Sequence, residues 1–416
     1  MTMSKPAHAA QTQFQIVDDC LQIGGMPLTR LAQRVGRTPF YAYDRSLLSA
    51  RVETLRRLLP PQLALHYSVK ANPMPALVQH MAGLVDGLDV ASAGEMKTAL
   101  DSTMPPACIS FAGPGKTEAE LSQAVAAGIV IHVESLTELE RLDRIGAASG
   151  IRPAVVLRVN PDFELKSSGM KMGGGPKPFG LDAELLPAVL KRIGSMGLDF
   201  HGFHIFSGSQ SLKAAAIIEA QQKTFELALR LAQDAPQAVR SLNIGGGFGI
   251  PYFPGEQALD VAPIAAHLHQ SLPRIQSELP QARVALELGR YLVGEAGIYV
   301  SRVIDVKRSR GELFLVTDGG LHHHLAASGN FGQVIRKNYP VAVGNKMAGH
   351  TGTAGEAGMA TVVGPLCTPL DILADQMALA HADIGDLIVV FQSGAYGLTA
   401  SPTAFLGHPA ALEVLV

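Results

Sequence analysis

Val130–Ile145 reads ValIleHisValGluSerLeuThrGluLeuGluArgLeuAspArgIle. Its first four residues are an apolar run of strand character. Ser135, with Glu138 three residues later, has the spacing of a capping box and marks a helix start. Thr137–Ile145 is then amphipathic, as a surface helix is. The next apolar run, Ala154–Val159, supplies a second strand after the crossover. The same alternation extends outward over about residues 60 to 290, with candidate strands Leu63–Val69, Asp86–Val90, Ala107–Phe111, Val130–Val133, Ala154–Val159, Asp199–Phe206, Ser241–Ile244 and Val284–Glu287. Eight strands, each followed by a crossover segment, predict an α/β fold, a (β/α)8 TIM barrel over 46–290.

The pattern changes after about residue 292. LeuValGlyGluAlaGlyIleTyrValSerArgValIleAspValLysArg reads as alternating strand, and GluLeuPheLeuValThrAsp and AspLeuIleValValPhe are further strands without helical partners. Thr38–Asp44 near the start is also strand-like. A mostly β domain built from 1–45 and 291–416 is the simplest account. The Gly/Lys/Pro-rich stretch Ser167–Phe179 is expected to be a mobile loop.

With 47% hydrophobic and 17% charged residues among 416, a large core can form. A net charge of -2 gives no electrostatic reason to expect nucleic acid or an anionic membrane as partner. The three cysteines, Cys20, Cys108 and Cys367, are far apart and fit a reducing compartment. The N-terminus lacks the apolar core of a signal peptide, and no apolar run reaches the ~20 residues that span a bilayer. A soluble cytoplasmic protein is expected.

Lys70 closes the first strand in HisTyrSerValLysAlaAsn. At the C-terminal end of a barrel strand it faces the active-site mouth, and partial withdrawal from water favours its nucleophilic neutral form. An isolated lysine there is ordinarily a surface residue; its company decides. Gly245–Gly249, GlyGlyGlyPheGly, follows the strand SerLeuAsnIle, where amides unobstructed by side chains can approach an anion, although a plain tight turn reads equally well. Gly202–Gln210 sets His204 and Ser207 at another strand end. That histidine can stack on a flat cofactor and that serine can bind a phosphate; a packed core histidine is the plainer reading. GluLeuGlyArg places Glu287 and Arg290 at the last strand. A carboxylate facing a pyridine nitrogen keeps it protonated and a guanidinium suits phosphate or carboxylate, unless the two form a local ion pair.

TyrSerValLysAlaAsn, LeuAspValAlaSerAlaGlyGlu, GlyPheHisIlePheSerGlySer, GlyGlyGlyPheGly, GluLeuGlyArg, GlyProLeuCysThrProLeuAsp and GlyAlaTyr occur in this order. Together they resemble the fold-type III pyridoxal-phosphate decarboxylases, the diaminopimelate/ornithine/arginine group with its alanine racemase-like barrel, from about residue 38 to 405. The resemblance implies pyridoxal 5'-phosphate as cofactor, with Lys70 forming the Schiff base, His204 stacking on the ring and Glu287 facing its nitrogen. It implies Ser207, Gly245, Gly246, Gly247, Arg290 and Tyr396 as phosphate ligands. Asp89 and Glu95, in the second strand's loop, would position Lys70, and Arg158 would lie near the stacked histidine. Asp89 and Arg158 thus join the cofactor-binding set. Cys367 and Asp371 would serve the partner subunit of a homodimer, Cys367 managing the carbanion after carbon dioxide leaves. Arg290, Thr368 and Asp371 would bind substrate. A buried structural thiol is the plainer reading of Cys367.

One departure bears on the substrate. Decarboxylases of free diamino acids often carry an acidic residue directly after the cysteine; here it is Thr368. The MetLysMetGlyGlyGlyProLysProPhe loop, ThrAspGlyGlyLeuHisHisHisLeuAlaAlaSerGly and LeuThrAlaSerPro resemble a subgroup from secondary-metabolite and exopolysaccharide/exosortase-associated clusters. Some members of the wider subgroup act on amino acids tethered to an acyl-carrier protein. The expected substrate therefore lacks a free distal ammonium, a carrier-bound amino acid among the candidates. An amino-acid racemase and a non-catalytic cofactor-binding protein are the alternatives. Glu287, where resembling racemases have arginine, favours decarboxylation. His322–His324 alternate direction in a strand and cannot all bind one metal, so loop or partner-contact roles are expected.

Overall fold

The computed structural model describes residues 6–164, 169–348 and 358–416. The chain divides into two compact units, Arg51–Ile250 with Ala258–Tyr291, and Met1–Ala50 with Pro251–Gln257 and Leu292–Val416. The excursion Pro251–Gln257 was not expected in the second unit. Tyr252 there packs on Tyr339 with ring centroids 4.6 Å apart, and Gln392 Nε2 donates to Pro251 O at 2.9 Å.

In the first unit eight parallel strands pair in chain order: Ala64–Ser68, Gly87–Val90, Ile109–Phe111, Val130–Val133, Ala154–Asn160, Asp199–Ile205, Ser241–Gly246 and Arg283–Leu288. The eighth pairs back onto the first, Glu287 opposite His66, and closes the barrel. This is the TIM barrel that the alternation predicted. Helices Pro75–Ala82, Ala93–Leu100, Glu118–Ala127, Leu136–Ser149, Leu186–Ile193, Ala214–Ala232 and Ala262–Glu278 follow the first seven strands. Leu139, Leu142 and Ile145 form the buried stripe of Leu136–Ser149.

At that helix start Ser135 Oγ accepts the Glu138 N–H at 3.2 Å, as its spacing predicted. The Glu138 carboxylate does not complete the box. Lys116, almost fully buried, draws it inward to an ion pair at 2.8 Å. The reciprocal box belongs instead to Thr117 and Glu120. Of the stretch read as a mobile loop, Ser167 and Ser168 lie outside the described residues. Its described part is tied down: Met172 and Gly173 N–H groups donate to Ser207 O at 3.1 and 3.2 Å, and Met170–Lys171 pairs with Gly208–Ser209.

In the second unit Gly297–Ser309 is the central strand. Its first half lies between Phe40–Tyr43 and Leu387–Val390, and its second half pairs with Glu312–Thr317. Gly358–Val363 and Ile372–Leu379 extend that side. Alternation sorts the faces. Phe40, Ala42, Ile298, Val300, Leu387 and Val389 enter an apolar core with Leu28 and Phe391, whereas Tyr41, Tyr43 and Tyr299 pack ring against ring.

His322, His323 and His324 sit in turns and are fully buried in this unit. That corrects the strand premise and the partner-contact reading, because nothing of them is left exposed to a partner. Among the described residues no cluster of His, Cys, Asp and Glu is disposed to hold a metal. Both nitrogens of His324 are engaged: Nε2 with Ser393 Oγ at 2.9 Å, and Nδ1 accepting the Ala327 N–H at 3.2 Å. Burial lowers its pKa from 6.5 to about 3. The unfolded chain therefore binds a proton below pH 6.5 that the folded one refuses. Stability contributed by His324 is complete above that pH and is lost as pH falls towards about 3, at up to roughly 1.4 kcal/mol per unit. Urea unfolding between pH 7 and 4.5 should show a shallower slope for His324→Asn than for the parent; equal slopes would contradict this assignment.

Candidate active site

Eight parallel strands bring their C-terminal ends to one rim of the barrel, and there the polar side chains gather. The first strand stops at Ser68, and a short helical turn, Val69–Ala71, carries Lys70 past it. Lys70 is consequently exposed, which corrects the expectation of an amine partly withdrawn from water at the strand end. Its Nζ stands 6.0 Å from the centroid of the Phe206 ring. Glu95, in the first turn of Ala93–Leu100, accepts the Ala91 N–H at 2.8 Å. Burial raises its pKa in spite of that bond and of the nearby Lys70 amine.

Glu287 is the centre of the cluster. It is buried in the eighth strand, where Ser68 Oγ donates to it at 2.6 Å and Asn243 Nδ2 at 3.2 Å. His204 Nε2 is also 3.2 Å away, a Coulombic contact too oblique for a good hydrogen bond. Burial alone would raise the carboxyl, but the His204 ring, the Lys70 amine and the Ser68 hydroxyl outweigh it and hold Glu287 well below the usual carboxylate range. A buried anion thus stands ready for a cationic partner.

His204 reaches this place through a β-bulge between Phe200 and Gly202, which resets the register of the sixth strand. Gly202 has φ +149°, and a Cβ there would fall 1.9 Å from Ser241 O, so only glycine fits. Arg158 lies directly opposite His204 on the fifth strand. Its Nη1 donates to Glu134 Oε1 at 2.8 Å, and its guanidinium lies 5.0 Å over the Phe179 ring. From the fourth strand, beyond the fifth, His132 Nδ1 meets His204 Nδ1 at 2.9 Å.

Ser207 is buried just beyond the sixth strand. The seventh strand extends to Gly246, so the glycine run begins inside it instead of following it. A Cβ at Gly246 would sit 2.1 Å from Glu287 O, and one at Gly247 2.2 Å from Gly208 O, so both positions exist for close backbone approach. The Gly245 N–H donates to Asn243 Oδ1 at 2.8 Å. That bond turns this amide inward and corrects its place in the phosphate set. Arg290 opens the helical turn Arg290–Val293 and is half-buried. Asp89 lies within the second strand, not in its loop. It contacts Ser110 Oγ and, at 3.3 Å, His66 Nδ1, and so supports the barrel interior and not Lys70.

In the β unit Cys367 is exposed, with Thr368 half-buried beside it. Asp371 is buried, and its oxygens accept the Leu321 and Leu366 N–H groups at 2.6 and 2.8 Å. This carboxylate braces the Cys367 loop, which corrects its reading as a substrate ligand. Tyr396 is half-buried with φ +53°. Ser68, His132, Asn243, Lys116 and Glu134 were missed from sequence. The signal available for the first three is a polar residue in an otherwise apolar barrel strand.

The pyridoxal binding domain of pyridoxal-dependent decarboxylases matches residues 45–294. The chain is 37% identical to L-glutamyl-[BtrI acyl-carrier protein] decarboxylase of Niallia circulans over 391 residues, 93% of this chain and 90% of that protein. It is 32% identical to diaminopimelate decarboxylase of Aquifex aeolicus over 402 residues, 96% of this chain and 91% of that protein. A crystal structure from Aquifex aeolicus superposes with a TM-score of 0.83 at 30% identity, over 98% of this chain and 93% of the other.

Proposed function

The chain belongs to the family of pyridoxal-dependent decarboxylases, and from that premise we propose that its substrate is an amino acid without a free distal ammonium, presented on an acyl-carrier protein. It is a pyridoxal 5'-phosphate enzyme that releases carbon dioxide from an amino acid or amino-acid derivative. The residues of the barrel rim fit that cofactor: an exposed amine at Lys70, a buried ionised carboxylate at Glu287, and glycines 246 and 247 that let backbone come close. When bound, pyridoxal phosphate supplies an aldehyde that condenses with amines and a ring that takes up the electron pair of the breaking bond to the carboxylate.

The remaining work falls to the chain. Lys70 Nζ gains and loses a proton as amines exchange. Glu287, ionised, would hold a proton on the ring nitrogen of the bound cofactor. His204, steadied by its neighbours, would pack against the ring. Ser207, Gly246, Gly247 and Arg290 would hold the phosphate, a role the family resemblance also gives Tyr396. Cys367 Sγ delivers the proton that replaces carbon dioxide, from the β unit of one copy to the barrel of a second in a homodimer. The three cysteines are unpaired, in keeping with a cytoplasmic enzyme.

The observation that carries the substrate assignment is the Cys367 loop. Thr368 is neutral, and Asp371 is occupied by backbone N–H groups. Neither offers a carboxylate to a distal ammonium, which a diamino acid would leave unpaired. The 37% identical relative named for a carrier-bound L-glutamyl substrate points the same way. Holoenzyme given free lysine, ornithine, diaminopimelate and glutamate, and aminoacyl groups on a carrier protein, should release carbon dioxide fastest from the tethered ones. Free lysine or diaminopimelate far ahead of every tethered or acidic substrate would refute the proposal.

A further inference from the structure

We propose that His132 is the positioning residue of the stacking histidine: its Nδ1 shares one proton with His204 Nδ1, which locks the His204 ring and leaves Nε2 as the protonated nitrogen turned towards Glu287. The inference rests on His204 being the residue that covers the cofactor ring. The two Nδ1 atoms are 2.9 Å apart and both rings are buried. Two bare nitrogens at that distance repel and two protonated ones clash, so a single proton lies between them. At its other end His204 Nε2 is 3.2 Å from Glu287 Oε2, an oxygen of the ionised carboxylate. Oblique as that contact is, the carboxylate oxygen attracts an N–H there and repels a bare nitrogen. With His132 as the donor of the shared proton, a neutral His204 ring carries its own hydrogen on Nε2.

The groups around His132 agree. Burial lowers its pKa well below 6.5, and the His204 ring, Lys116 and Arg158 add to that against the opposing Glu287, so His132 is neutral. Lys116 Nζ, buried in its ion pair with Glu138, also donates to His132 O at 2.9 Å and fixes the backbone from which the ring projects. His132 further lines a cavity of about 180 Å³ shared with His66, Ser110 and Asn243. Val130, Ser241 and Arg283, which begin their strands, border the same space, so the cavity lies at the base of the barrel.

The test uses full-length holoenzyme labelled with 15N-histidine. A scalar coupling between the two Nδ1 nuclei is expected, together with a His204 Nε2 shift in the protonated range. His132→Phe should weaken cofactor binding about tenfold, the worth of one buried hydrogen bond. His132→Asn, which presents a polar atom where Nδ1 stands, should recover most of that loss. An absent coupling, an unprotonated His204 Nε2, or parental cofactor affinity in His132→Phe would overturn the proposal. If His204→Ala leaves the cofactor absorbance untouched while the parental coupling persists, the stacking role fails and the hydrogen bond stands.

Discussion

Lys70→Ala should release no carbon dioxide above background from any substrate, a loss of at least about a thousandfold. The same protein, mixed with pyridoxal phosphate, should show no imine absorbance that borohydride can trap on the chain. The reason is positional. Lys70 is the exposed amine that the Val69–Ala71 turn lifts to the rim, near Phe206 and the Glu95 carboxyl. Lys116 is buried between Glu138 and two backbone carbonyls and is not available as a substitute. Because Lys70 is exposed, its truncation leaves the core unchanged, and unfolding should stay within about 0.5 kcal/mol of the parent. Trapping on any lysine other than Lys70 would end this assignment.

Glu287→Gln should behave differently. The amide preserves the shape, and the bond from Ser68 Oγ can be kept. What disappears is the negative charge that burial opposes and that His204, Lys70 and Ser68 sustain. The cofactor should still bind through Lys70 and still be trapped by borohydride. Turnover should fall by about a hundred- to a thousandfold, the scale seen when one preorganised electrostatic group is removed from an active site. The loss should appear in kcat with KM little moved, since the charge acts where electrons accumulate and not where substrate is first held. Trapping without turnover separates this variant from Lys70→Ala; full activity in Glu287→Gln would remove the carboxylate from the chemistry.

Much of this was legible in the chain as written. Strand and helix alternate from Ala64 to Leu288, and helix starts such as Ser135 are marked by caps that act within four residues. The order of the motifs locates Lys70, His204 and Glu287, because each lies at or just past the C-terminal end of a strand and parallel strands of a barrel must end at one rim. Those properties depend on period, propensity and chain order, all of which operate over a dozen residues or fewer.

What only the tertiary structure decided are pairings between distant strands. The bulge at Phe200–Gly202 determines the register that brings His204 against Arg158, and His132 meets His204 from two strands away. Glu138 takes the Glu134 N–H and Lys116 in place of the expected Ser135 N–H, and Asp371 turns to backbone amides. Local rules cannot foresee these choices, because a buried polar group takes whichever partner the packed interior places within reach, and that is known only once the barrel has closed.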